Sequence, residues 1–454
     1  MKKYSAALII TAIVLALALI YLVSEFKPIN SLMKPPKVEG ENLAIQLAFE
    51  ESVGENKYLL KQPLRGEHRS AYTFIDLDGD NDDEVIVFYS SDVAIDIVRM
   101  NVLDVIDGKW RSVADFESLH NQIQEIKFAD LNGDKLKEII VGWTTYQDDY
   151  SKLLSVYKIA RSDDGVSIKP VFDDPYSQFE IMDIDSDGKK DILLLKYFAA
   201  ANTPETEYRA TFLSYTEKGI KEVSTIALDR SIASVTSVSS DYSEETALRR
   251  IYIDGYKIDS GMATDCFYWD DATEHFERMT INGVNLSALS SRASGVICSD
   301  INSDGIIEIP TEEFLPASNV ITAERNIGNA QALIKWVSID NSQLKTIEYR
   351  IMNSSSGYAV KFDESWLGKV TVINDIADGV LTFCKLEYLN GQAVCGEEYF
   401  AIKTVAGDNS LSFFSTDYNY LFNVKGQYHY CRIYESGENF GLTYKTIKKS
   451  MITG

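Results

Sequence analysis

Short apolar runs, separated by polar turns, recur along most of the chain. "VIVFY" (85–89), "IIVGW" (139–143) and "ILLLKY" (192–197) are rich in β-branched and aromatic residues. They are too short for helices, so they read as buried strands. Alternating runs follow each one: "AIDIVRMNVLDVIDGKW" and "RSVADF" after the first, "LLSVYKIA" and "GVSIKPVF" after the second, "EYRATFLSYTEKG" and "IKEVSTIAL" after the third. With one strand ahead of each buried run, the unit is four strands in about 55 residues, the size of a propeller blade.

Ahead of each buried run stands an acidic stretch. "DLDGDNDDE" (76–84) packs seven acidic or amide side chains into nine residues. "DLNGDKLKE" (130–138), "DIDSDGKKD" (183–191) and "DINSDGIIE" (300–308) share its pattern, D-x-[DN]-x-D-x-x-x-[DE]. One chance match in a chain this long is expected on the order of 0.02 times, so four form a repeat. Side chains at loop positions 1, 3 and 5 of a tight turn converge on one point, and an acid at position 9 closes the shell. The expected ligand sets are Asp76, Asp78, Asp80 and Glu84; Asp130, Asn132, Asp134 and Glu138; Asp183, Asp185, Asp187 and Asp191; and Asp300, Asn302, Asp304 and Glu308. All are hard oxygen donors without thiolate or imidazole, which suits Ca²⁺ at up to four structural sites and excludes zinc and copper. Gly188 and Gly305 suit the turn at position 6, Asn81 tolerates it, and Lys135 fits it poorly, which makes the loop at Asp130 the weakest of the four. An EF-hand is excluded, because position 12 is Val87, Val141, Leu194 or Thr311 where a bidentate Glu is required.

These loops resemble the calcium-binding FG-GAP (VCBS) repeats of integrin-type β-propellers and of bacterial surface proteins, over residues 63–350. The resemblance implies a mainly β fold of about five blades, with six or seven as alternatives. The loop starts are 54, 53 and 117 residues apart, so a degenerate copy belongs in the last gap. "VTSVSSDYSEETALRRIYIDGY" from Val235 stands there, with Asp241 and Glu244 but with Ser239 and Ser243 in place of acids. Arg249 and Arg250 follow, and a guanidinium is expected to replace the cation. "LAIQLAFEESVGENKYLL" (43–60), within a linker at 28–62, offers a closing strand or most of a further blade.

The ends differ. Residues 4–23 carry no charge and follow Lys2 and Lys3, the pattern of a single-pass signal anchor over 1–27 that exports the rest. A cleaved signal peptide, ending near Ala18, is the alternative and would give a secreted protein. From residue 351 to 454 the acidic repeats stop, and strand pairs with a closing amphipathic helix, "LTYKTIKKSMI", predict an α+β domain. This segment is similar to small C-terminal domains of exported bacterial proteins with a PsbP-like layout, although Asp363 stands where that pattern has Pro. Cys384 and Cys395 flank a hairpin turning at Asn390-Gly391, in which Cys395 should face Leu386. All five cysteines, these and Cys266, Cys298 and Cys431, are therefore expected as buried thiols.

Charge and chemistry narrow the function. Lys plus Arg total 44 against 68 Asp plus Glu, a net charge of −24, which argues against a nucleic-acid partner. His68, His120, His275 and His429 are scattered, with no metalloprotease, nucleophile-elbow or phosphate-loop motif. The expectation is a non-enzymatic, membrane-anchored module that binds a protein or glycan. A scaffold of an envelope assembly and a polysaccharide hydrolase or lyase are the alternatives. Trp110, Trp143, Trp269 and Trp336 are expected in packing between blades.

Overall fold

Each acidic loop ends where a strand begins, and the chain builds its sheets from that junction. The computed structural model describes residues 40–55, 57–145, 148–162, 165–199, 206–244, 246–317, 331–407 and 417–453. The expected anchor at 1–27 lies outside these residues. Among the described residues no helix is long and apolar enough to cross a membrane.

The described chain is mainly β, in successive antiparallel sheets. The first sheet pairs Tyr72–Ile75, Glu84–Ser91, Ala94–Ile106 and Lys109–Glu117. The second holds Gln122–Ala129, Glu138–Thr145, Asp148–Ser162 and Gly165–Pro175. The third is Gln178–Met182, Asp191–Ala199, Thr206–Thr216 and Gly219–Ala227, and the fourth is Ile232–Ser243, Leu248–Lys257, Met262–Asp270 and His275–Arg278. The fifth runs Ile309–Phe314, Ala332–Asp340, Gln343–Asn353, Tyr358–Phe362 and Met451–Thr453, and so holds residues from both sides of position 350. The sixth orders Val370–Asp375, Val380–Leu389, Gln392–Ala406, Gln427–Ile433 and Asn419–Val424.

Two compact units divide the described residues. One runs to Glu125 and includes Ile159–Ile168; the other is Ile126–Lys158 with everything from Lys169 on. In the first unit, Ile45, Ala48 and Phe49 are spaced three and four apart on the helix Glu41–Val53. They bury against Val85, Val87, Tyr89 and Leu103. This corrects the expectation that residues 43–60 supply strands alone: the 3.6-residue period wins up to Val53. Only Tyr58–Leu60 is extended, and it pairs with Glu84–Ser91.

In the second unit the sheets pack face to face in chain order. Along Asp191–Ala199 successive side chains point to opposite faces. Ile192 and Leu194 join Ile140, Leu154 and Val156 of the second sheet. Leu193 and Leu195 join Ile251, Ile253 and Phe267 of the fourth. A strand buried on both faces needs an unbroken apolar run, which explains "ILLLKY". Tyr252 and Cys266 then meet Ile309, Val337 and Ile339. Trp143, Trp269 and Trp336 are buried, with Trp269 edge-on to Phe212 at 4.9 Å.

The structure also corrects the reading of Cys384 and Cys395. Leu386 does face Cys395, but the register slips on both sides of Cys384. That bulge re-aims Cys384, bringing its Cα 5.7 Å from that of Cys395, and the two form a disulfide. Cys266, Cys298 and Cys431 are buried free thiols. The closing helix is shorter than expected: it covers Tyr444–Ser450 behind a capping box at Thr443, and Met451–Thr453 leaves it to pair with Tyr358–Phe362.

Candidate metal centres

The four acidic loops share one backbone scheme. Position 1 accepts the N–H of position 6: Asn81 to Asp76 Oδ2 (3.3 Å), Lys135 to Asp130 Oδ2 (2.9 Å), Gly188 to Asp183 Oδ2 (3.2 Å) and Gly305 to Asp300 Oδ2 (2.8 Å). Position 3 accepts the N–H of position 5, whose own carboxylate accepts that of position 7; Asp185 and Asp187 do so at 3.1 and 2.8 Å. Asp78, Asp80, Asn132, Asp134, Asn302 and Asp304 repeat the pair of bonds. The turn needs left-handed backbone at position 6, with φ of 72° at Asn81 and Lys135, 88° at Gly188 and 84° at Gly305. It needs it again at position 4, at Gly79, Gly133, Ser186 and Ser303, which the sequence reading missed.

Position 9 is the first rung of the strand behind the loop. Glu84 stands opposite Ile75, Asp191 opposite Met182 and Glu308 opposite Ser299. Glu84, Glu138, Asp191 and Glu308 are each at most 2% exposed. Each accepts the N–H of position 2: Leu77 (2.7 Å), Leu131 (2.9 Å), Ile184 (3.0 Å) and Ile301 (2.9 Å). Position 2 is apolar: Leu77, Leu131 and Ile184 are buried in the core and Ile301 is half-buried, and each N–H is left aimed at the loop. Burial pushes Glu84, Glu138 and Asp191 up to about 7 and raises Glu308, and the neighbouring acids add to the effect. One backbone N–H does not offset the desolvation of a buried carboxylate. A cation at the centre of the loop would.

The loops differ in how far the acids gather. Asp76, Asp78 and Glu84 each place an oxygen within 4.8 Å of the others, as do Asp183, Asp185 and Asp191. Either trio could hold a metal ion. At the second cluster Asp183 Oδ1 is buried without a hydrogen-bond partner. Asp130 and Asp300 belong to no such trio among the described residues. There the position-3 amide closes the loop: Asn132 Nδ2 donates to Glu138 Oε1 (2.6 Å), and Asn302 Nδ2 to Asp304 Oδ2 (2.9 Å) and Glu308 Oε1 (3.3 Å). Lys158 Nζ adds a positive charge 3.7 Å from Asp134.

The degenerate copy holds a cation of its own. Arg250 is the first buried residue of its strand, on the third rung from the turn, and it stands opposite Asp241. Its Nε and Nη2 donate to Asp241 Oδ1 (2.7 Å) and Oδ2 (2.8 Å), and its Nη1 to the Ile339 carbonyl (2.8 Å). Tyr252 Oη and Ile307 N also donate to Asp241. The side chains are 4% and 0% exposed. Arg250 therefore makes the expected pairing; Arg249 instead lies 6.0 Å from the Tyr242 ring, and Glu244 is exposed.

His68 and His275 line neither of two surface clefts, one beside Trp366 and one beside Tyr197. No protein-family model matches the chain, and no curated protein matches it in sequence.

Proposed function

We propose that the chain is an extracytoplasmic, calcium-stabilised β-propeller that acts as a binding module at the cell surface, its blades the first five sheets. The observation that carries this reading is the recurrence of one nine-residue loop, with one hydrogen-bond scheme, ahead of a buried strand in four places. Sequential face-to-face packing of four- and five-stranded sheets supports the blade assignment. All-oxygen donor sets on a buried carboxylate favour calcium among divalent ions. The Cys384–Cys395 disulfide favours an oxidising compartment outside the cytoplasm. The charge-free stretch at residues 4–23 would hold the module at the membrane. The ligand would be a protein or glycan met by loops at the sheet ends.

Thermal unfolding of the exported part in ~2 mM calcium and in excess chelator tests the reading. A higher melting temperature with calcium, not reproduced by magnesium, is expected. Identical curves would remove the metal assignments and the propeller reading with them.

A further inference from the structure

The acidic loops lie at one end of their strands, and an open cleft of about 900 Å³ lies at the other end of the third sheet. That volume is in the upper part of the ~300–1,000 Å³ range of ligand sites. Asp191 begins the strand at its loop; Lys196, Tyr197 and Phe198 reach the cleft near its end, about 20 Å away at ~3.3 Å per residue.

Three tyrosines and a phenylalanine set its character. Tyr197 and Tyr208 are cross-strand partners with ring centroids 5.1 Å apart and planes tilted by 57°. Both are half-buried, and Phe198 is 39% exposed. Tyr176 is buried edge-on to Phe179 at 5.3 Å. Among these rings Lys196 Nζ meets Asp174 Oδ2 at 2.5 Å. Half-exposed aromatic faces beside fixed polar groups present apolar area and hydrogen-bonding groups together.

We infer that this cleft binds a neutral polysaccharide chain; the inference deepens the binding-module reading and rests on it. A sugar ring shows one face of C–H groups that stacks on Tyr197 or Tyr208, and hydroxyls at its rim. Those hydroxyls both donate and accept, so each finds a partner in Asp174, Lys196 or the Gln178 amide. A proline-rich peptide would also stack on the rings, but it offers mainly carbonyl acceptors and adds no donor for Asp174 beyond the one Lys196 already gives it. A polyanionic glycan is opposed by the chain's net charge of −24, and of the two lysines lining the cleft, Lys152 and Lys196, the second is already paired with Asp174.

The test is affinity electrophoresis of the exported part in gels containing a soluble β-glucan, xylan or mannan, with fluorescence titration of a proline-rich peptide in parallel. Retarded migration in at least one polysaccharide is expected. It should weaken by about tenfold in Tyr197→Ala/Tyr208→Ala and largely persist in Tyr197→Phe/Tyr208→Phe, which keeps the ring faces. The calcium-dependent rise in melting temperature should be the same in all three proteins. If the double alanine variant does not fold, Tyr208→Ala alone should show part of the loss. No retardation in any polysaccharide, retardation unchanged by alanine, or binding of the peptide alone would overturn the proposal. A null result with the calcium shift intact removes the cleft assignment and leaves the calcium propeller standing.

Discussion

Arg250 and Asp241 show how a guanidinium neutralises a fully buried carboxylate. A carboxylate and a guanidinium this deeply buried are stable only together, because either alone would keep its full desolvation penalty. Arg250→Ala should cost about 3–5 kcal/mol in denaturant unfolding, whereas Arg249→Ala should stay within ~1 kcal/mol. Equal effects would place the pairing elsewhere. Asp191→Asn should act in two directions. Without calcium it removes a buried charge and keeps an acceptor for Ile184 N, so the fold should gain stability. With calcium it should lose its site's share of the stabilisation, ~0.6–1.8 kcal/mol at millimolar calcium. Calorimetry with and without the ion separates the two. His429 is fully buried between Tyr358 and Phe422, with Nδ1 3.1 Å from Thr404 Oγ1. Burial lowers its pKa from 6.5 to about 4. The unfolded chain therefore takes up a proton that the fold refuses. Its own contribution to stability is constant above pH 6.5 and falls as the pH drops from there to 4, by on the order of 3 kcal/mol. His429→Phe should flatten that part of the pH profile; an unchanged slope would assign it to other groups.

At the scale of elements, the acidic loop was readable because its chemistry lies in side chains at fixed spacing. Its backbone was not. The N–H of position 2 caps the buried acid, and Ser186 and Ser303 adopt left-handed backbone that no side-chain pattern announces. Lys135 holds the same conformation at φ 72° without a side chain suited to it. Lys135→Gly should therefore stabilise the protein, by about 0.5–1 kcal/mol in chemical denaturation; destabilisation would mean that the lysine side chain has a role of its own. The disulfide escaped the sequence because pairing logic assumes a regular ladder, and the bulge at Cys384 breaks it. The helix at Glu41–Val53 escaped because "LAIQLAF" satisfies two periods, and only its packing against Val85 and Val87 decides between them.

For the whole molecule, the four units with acidic loops and the degenerate copy between the last two were visible from the loop spacing, because a repeat that cannot bury its faces alone must stack. How the chain folds after residue 350 depends on long-range pairing, such as Met451–Thr453 with Tyr358–Phe362, which no local window contains. Four independent sites would contribute ~3–7 kcal/mol at millimolar calcium, comparable with the stability of a typical domain. If only the two trios at Asp76 and Asp183 bind, the contribution should be about half. Isothermal titration decides the count: a stoichiometry near two, unaltered by Asp130→Asn, would assign the Asn-closed loops to structure alone.

The carboxylate that ends each loop is also where the following strand starts to pair. Opening a loop therefore unzips a sheet from its first rung. Depleting the ion should fray the third sheet from Asp191 inward and reach Tyr197 last, so a mild chelator would leave the aromatic end formed while the acidic end is already exchanging its amides with solvent.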